Sequence, residues 1–133
     1  MKKRAYILAS AIAISPAITS AQGLVPTIES EFDFCQDRPV EPEWMSELPS
    51  REKYKRLVIQ TIYRAQGLES VVEAQECSCE TRFPPWDAAV QHFNDNFLGG
   101  DRNALREAEE EHLDRFNELR STAREICEAE GLW

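Results

Sequence analysis

Four cysteines, Cys35, Cys77, Cys79 and Cys127, constrain what this 133-residue chain can fold into more than any other feature. An even count in a short exported chain reads as a disulfide framework. Four cysteines allow three pairings, and geometry removes one of them. Cys77 and Cys79 lie two residues apart, so their side chains diverge in a helix or a strand, and a bond between them would be strained. Two frameworks stay open: Cys35–Cys77 with Cys79–Cys127, or Cys35–Cys79 with Cys77–Cys127. In both, the Cys77-Ser78-Cys79 segment ties the N-terminal part of the chain and its C-terminal end to one point. Each loop so closed is worth about 4 kcal/mol in the chain-entropy account of disulfides, comparable to the whole stability of a small domain.

The export that this framework presupposes is written at the N-terminus. Met1-Lys2-Lys3-Arg4 is a positively charged start, Ala5–Ile18 is mostly apolar, and Thr19-Ser20-Ala21 ends in small residues. That order is the pattern of a secretory signal peptide over residues 1–21. The apolar stretch falls short of the ~20 residues that span a bilayer, so cleavage is favoured over an uncleaved anchor. No second hydrophobic segment follows, so no membrane insertion is expected after cleavage. The chain is expected to work outside the cytoplasm, in a periplasm or extracellularly.

Cleavage after Ala21 leaves 24 acidic and 12 basic residues, a net charge of −12. A field of that sign repels phosphate backbones and anionic headgroups, which sets nucleic-acid binding aside. It would favour a cationic protein partner, although an acidic surface also serves solubility.

Residues 22–49 form an expected lead-in, punctuated by Pro26, Pro39, Pro42 and Pro49. One helical turn is expected near Pro42–Leu48, with Trp44, Met45 and Leu48 over the edge of the core. A helical domain over residues 50–133 follows. Its first helix starts after Ser50, with Tyr54, Leu57, Val58, Ile62 and Ala65 on one face and Thr61 filling a gap. Gly67-Leu68 is the expected stop, and Ser70-Val71-Val72-Glu73 reads as a capping box opening a second, short helix. One helix running on through Gly67 is the alternative, at about 1 kcal/mol for the glycine.

Phe83-Pro84-Pro85 breaks the chain before a third helix with Trp86, Ala89, Val90, Phe93 and Phe97 on one face. Gly99-Gly100 ends it, and Asp101 caps the last helix, expected from about 102 to 130. That helix carries Leu105, Ala108, His112, Phe116, Leu119, Ala123, Ile126 and Cys127 at alternating intervals of three and four, the mark of a packed amphipathic helix. Gly131 stops it, with Leu132 and Trp133 folding back. The expected fold is all-α: a small antiparallel helical bundle with a long C-terminal helix, an extended N-terminal lead-in and two disulfides.

Chemistry is sparsely represented. A zinc or copper(I) site could draw on Cys77 and Cys79 with His92 or His112, but structural zinc pairs are usually separated by two to four residues. Oxidising conditions also favour disulfides over thiolates. Thiol exchange normally uses Cys-x-x-Cys on a βαβ scaffold, and neither is present. There is no Gly-x-Ser-x-Gly, no phosphate loop and no His-Glu-x-x-His motif. No enzyme activity and no cofactor are expected. Tryptophan is enriched at interfaces, which makes peripheral Trp44 and Trp133 the candidate contact residues. The function expected on these grounds is protein–protein contact, as an accessory or assembly subunit of a cell-envelope complex such as a secretion or conjugation apparatus. The alternatives are a periplasmic metal-binding or thiol-redox protein using the Cys-Ser-Cys segment, and an inhibitor of a basic extracellular enzyme.

Overall fold

The computed structural model describes residues 35–133, and these are all-α, with no strand among them. The expected signal peptide and residues 22–34 of the lead-in lie outside the described residues. The elements are α1 (Glu43–Ser46), a 3-10 turn (Ser50–Glu52), α2 (Lys53–Ala74), α3 (Cys79–Arg82), α4 (Asp87–Asn96) and α5 (Arg102–Ala129).

The chain runs up, down and up again. At the start of the last helix the Arg102 guanidinium lies 5.2 Å from the Tyr54 ring at the start of α2. Halfway up, Arg115 of α5 pairs with Glu69 of α2, and at the far end Cys77, just beyond α2, is bonded to Cys127. The chain returns along α2 from α3 into α4: Arg82 lies against Gly67, and Trp86, just before α4, stacks on Tyr63. At ~1.5 Å per residue, the 28-residue α5 is about 42 Å long and serves as the spine of the bundle.

Two buried clusters divide the interior. The first gathers Met45, Val58, Ile59, Ile62, Ala89, Phe93, Leu105 and Ala108. The second gathers Leu68, Val71, Leu119 and Ala123 around the Cys77–Cys127 bond. Apolar burial at about 25 cal/mol per Å² is the main stabilising term in both. The α5 stripe expected from its periodicity is the face that packs, while Arg106, Glu110, Asp114, Glu118 and Glu125 are exposed opposite it.

The cysteines resolve the open choice: Cys35 bonds Cys79, and Cys77 bonds Cys127. The short turn near Pro42 forms as α1, and Met45 is wholly buried in the first cluster. The core therefore draws in residues N-terminal of position 50. Cys35 is tied to α3, and Glu41 is tied to Arg56 and Gln60 of α2.

Three local expectations need correction. The long second element does not stop at Gly67; α2 continues to Ala74, and Ser70 opens no separate helix. Its apolar face is rotated, with Ile59 fully buried and Leu57 52% exposed. Trp86 is not on the packed face of the third helix: it precedes α4, is half-buried, and lies flat on Tyr63 with ring centroids 3.8 Å apart.

The helix ends follow recognisable chemistry. The Asp101 carboxylate accepts from Asn103 N–H and Ala104 N–H, both at 2.9 Å, as a cap should. At the other end of α5, Gly131 adopts φ 75°, Leu132 N–H donates to Cys127 C=O and Gly131 N–H donates to Glu128 C=O, a Schellman stop. The α2 stop lacks a glycine: Gln75 itself takes the left-handed conformation at φ 54°. A side chain there costs about 1 kcal/mol or more. Replacing Gln75 by Gly is therefore expected to stabilise the protein by about 1 kcal/mol, read as a higher urea midpoint with an unchanged slope.

Candidate functional site

A groove of about 740 Å³ lies between the 36–41 segment, α2 and the 82–86 turn, with Phe116 of α5 on its lining. Four distant stretches of sequence build it, and the Cys35–Cys79 bond holds two of them together. The segment arrives from Cys35, and Pro39 keeps it extended along α2, with its carbonyl accepting the Trp86 indole N–H at 3.2 Å. Trp86 in turn stacks on Tyr63, so the groove floor is an aromatic pair continued by Phe83, Leu68 and Phe116. Burial raises the Tyr63 hydroxyl pKa, partly offset by the positive charge of Arg38, so this phenol stays neutral at physiological pH.

The groove walls are basic. Guanidinium groups at Arg38, Arg64 and Arg82 line it. Arg82 is braced by donating to the Leu132 carbonyl at 3.0 Å and by lying 4.3 Å above the Trp133 ring. Among the described residues the one carboxylate on the lining, Glu41, is neutralised locally. Arg56 donates to it twice, at 2.6 and 2.8 Å, and Gln60 adds bonds at 3.2 Å. In a protein of net charge −9 the groove is thus aromatic-floored and lined by three arginines, of which Arg64 is exposed. Val40 projects at its rim with 88% of its surface exposed.

The hydrogen bond from Arg56 is the main reason the Glu41 pKa lies below its ordinary 4.5. A depressed folded pKa adds stability that is fully present above the unfolded value and is lost as pH falls through the folded one. Glu41→Gln is therefore expected to lower the unfolding midpoint at pH 7. The gap between variant and parent should close as the pH drops below about 4.5. Urea titrations of both proteins at pH 7 and pH 3 measure this directly.

The residues singled out from sequence lie elsewhere. Trp44, on α1, is 44% exposed but does not line the groove. Trp133 packs on the second cluster beneath Arg82. Cys77 and Cys79 are both disulfide-bonded, to different partners, so neither offers a thiolate in this structure. His92 and His112, by contrast, come together from α4 and α5 with Nε2 atoms 3.3 Å apart. The groove residues were missed because Arg38, Arg64 and Arg82 are ordinary surface arginines until the disulfide brings their segments together. The one available signal was the link from Cys35 to the Cys-Ser-Cys segment, which carries residues 36–41 toward 80–86.

The lining is suited to recognition. Guanidinium groups pair bidentately with carboxylates, and an aromatic floor receives apolar side chains. A search against known protein families, curated proteins and solved structures finds no match to this chain.

Proposed function

We propose that this is an exported, non-catalytic protein that acts through protein–protein contacts, with the Arg38–Arg64–Arg82 groove as its docking surface. The observation that carries this reading is the groove itself: half-buried Tyr63, Phe83 and Trp86 floor it, and the exposed Arg64 stands beside them. Charge complementarity then defines the occupant as a segment of a partner protein bearing carboxylates beside apolar side chains. Two disulfides in so small a domain point to an oxidising compartment outside the cytoplasm. The positively charged start and apolar run of residues 1–21 support export, with cleavage leaving Gln22 as the first residue. A periplasmic accessory or assembly subunit of an envelope complex is the concrete role that unites these features.

A photo-cross-linking residue at Val40, in the full chain expressed in its cell of origin, tests the docking surface. A discrete adduct is expected at Val40, absent when the cross-linker replaces Glu110 on the exposed face of α5. Arg64→Glu should reduce the adduct about ten-fold, as expected from replacing a favourable charge contact by a repulsive one. Equal adducts at both positions, or an adduct indifferent to Arg64→Glu, would reject the groove as the contact surface. The mass of the same exported protein, starting at Gln22 or at Met1, separately decides the cleavage.

A further inference from the structure

The two histidines of this chain, His92 and His112, meet between helices whose backbones stay apart: among the described residues, no Cα of α4 lies within 8 Å of one in α5. The His112 Nδ1 lies 2.7 Å from the Ala108 carbonyl, which can only accept, so Nδ1 carries the proton. The His112 Nε2 therefore presents its lone pair outward, toward the Nε2 of His92 at 3.3 Å. A backbone carbonyl that fixes the ring and tautomer in this way is the usual outer support of a metal-ligating histidine. Phe97 holds both rings edge-on, with centroids 5.7 Å from His92 and 5.8 Å from His112.

We infer that His92 and His112 form a two-imidazole site for a divalent late transition metal, zinc in particular, bridging α4 and α5. The spacing supports the geometry. Two nitrogens each ~2.0–2.1 Å from a tetrahedral ion lie about 3.3 Å apart, which is the separation the rings already have. Binding requires only that His92, like His112, carry its ring proton on Nδ1, which leaves both Nε2 lone pairs to the ion. The surroundings favour a cation: Glu69, Glu111, Asp114 and Glu118 line the same cleft of about 540 Å³, against the single guanidinium of Arg115. Gln66 lines it too, and its buried Oε1 has no hydrogen-bond partner among the described residues. A metal-bound water is a donor of the kind that atom lacks.

No group of three His, Cys, Asp or Glu residues suited to a metal occurs among the described residues. The protein thus supplies two ligands, and water fills the open positions. That ligand set makes the ion exchangeable, in contrast to the closed four-ligand sites of structural zinc.

Titration of zinc chloride into the tag-free full chain, followed by calorimetry, tests the site. One equivalent is expected to bind in the micromolar range and to raise the thermal midpoint. His92→Gln and His112→Gln should each weaken binding at least ten-fold and abolish the thermal shift. Because a variant can also perturb packing, nitrogen-15 spectra of the imidazoles are recorded on the unaltered protein. With only two histidines present, both sets of ring resonances should move together as zinc is added. Ring resonances unmoved at saturating zinc, or binding as tight in the doubly substituted protein, would overturn the site and assign the uptake to surface carboxylates.

Discussion

Replacing Cys77 and Cys127 together by alanine is expected to lower stability by about 4 kcal/mol and the thermal midpoint by on the order of 20 °C. The bond closes a loop with a sequence separation of 50, and freeing it enlarges the unfolded ensemble. It also fills space: both cysteines are wholly buried and pack with Leu68, Val71, Leu119 and Ala123. The other bond, Cys35–Cys79, closes a similar separation of 44 but ends on the half-buried Cys79. The loop-closure argument gives it about the same stability, so the two differ in access. Graded reduction with a small thiol should open Cys35–Cys79 first and Cys77–Cys127 only as the bundle unfolds. Mass spectrometry after alkylation reads the order. Simultaneous loss of both bonds under native conditions would show that the second cluster does not shield Cys77–Cys127.

Gly67→Ala is expected to destabilise by about 2 kcal/mol, although helix propensity alone predicts a gain of about 1 kcal/mol. The sign is decided by what the added methyl would meet. A Cβ at Gly67 points into the backbone carbonyl of Arg82, and behind it lies the ring of Pro84. A backbone carbonyl held in the turn after α3 cannot move aside as a flexible side chain would. Accommodation therefore requires separating α2 from the 82–86 turn, which also carries the groove residues Arg82, Phe83 and Trp86. Gly99 is the control, since a Cβ there meets nothing within 4 Å and its φ is not positive. Gly99→Ala should leave the midpoint nearly unchanged. Comparable losses at both positions would mean that the close approach at Gly67 is not the cause.

Gly67 also shows where legibility ended for the fold. Glycine followed by leucine is a fair helix stop on local rules, and Ser70 with Glu73 is a fair start. Tertiary packing overruled both, because the small residue lets α2 pass close to Arg82 and the helix gains from continuing under Leu68 and Val71. Ile59 shows the same limit by one position. The run Leu57-Val58-Ile59 is apolar throughout; the intervals put Leu57 and Val58 inward, whereas the first cluster took Val58 and Ile59 and left Leu57 outside. The candidate site was less legible still. Arginines 38, 64 and 82 share no spacing, and a groove has no period to detect. The two histidines were visible individually, on or beside apolar stripes, but their meeting depends on how α4 and α5 both lean on α2.

The sequence by itself determined the all-α class, the amphipathic spine from 102 to 129, its Asp101 cap and Gly131 stop, and the role of the Cys-Ser-Cys segment as a junction. These are local or periodic properties: helix-end hydrogen bonds, intervals of three and four, and the strain that a bond between Cys77 and Cys79 would carry. The tertiary structure decided which cysteine pairs with which, where α2 ends, which arginines share a groove, and that His92 faces His112. Each of those depends on distances between residues fifteen or more positions apart, set by the packing of whole helix faces. No local preference encodes such distances.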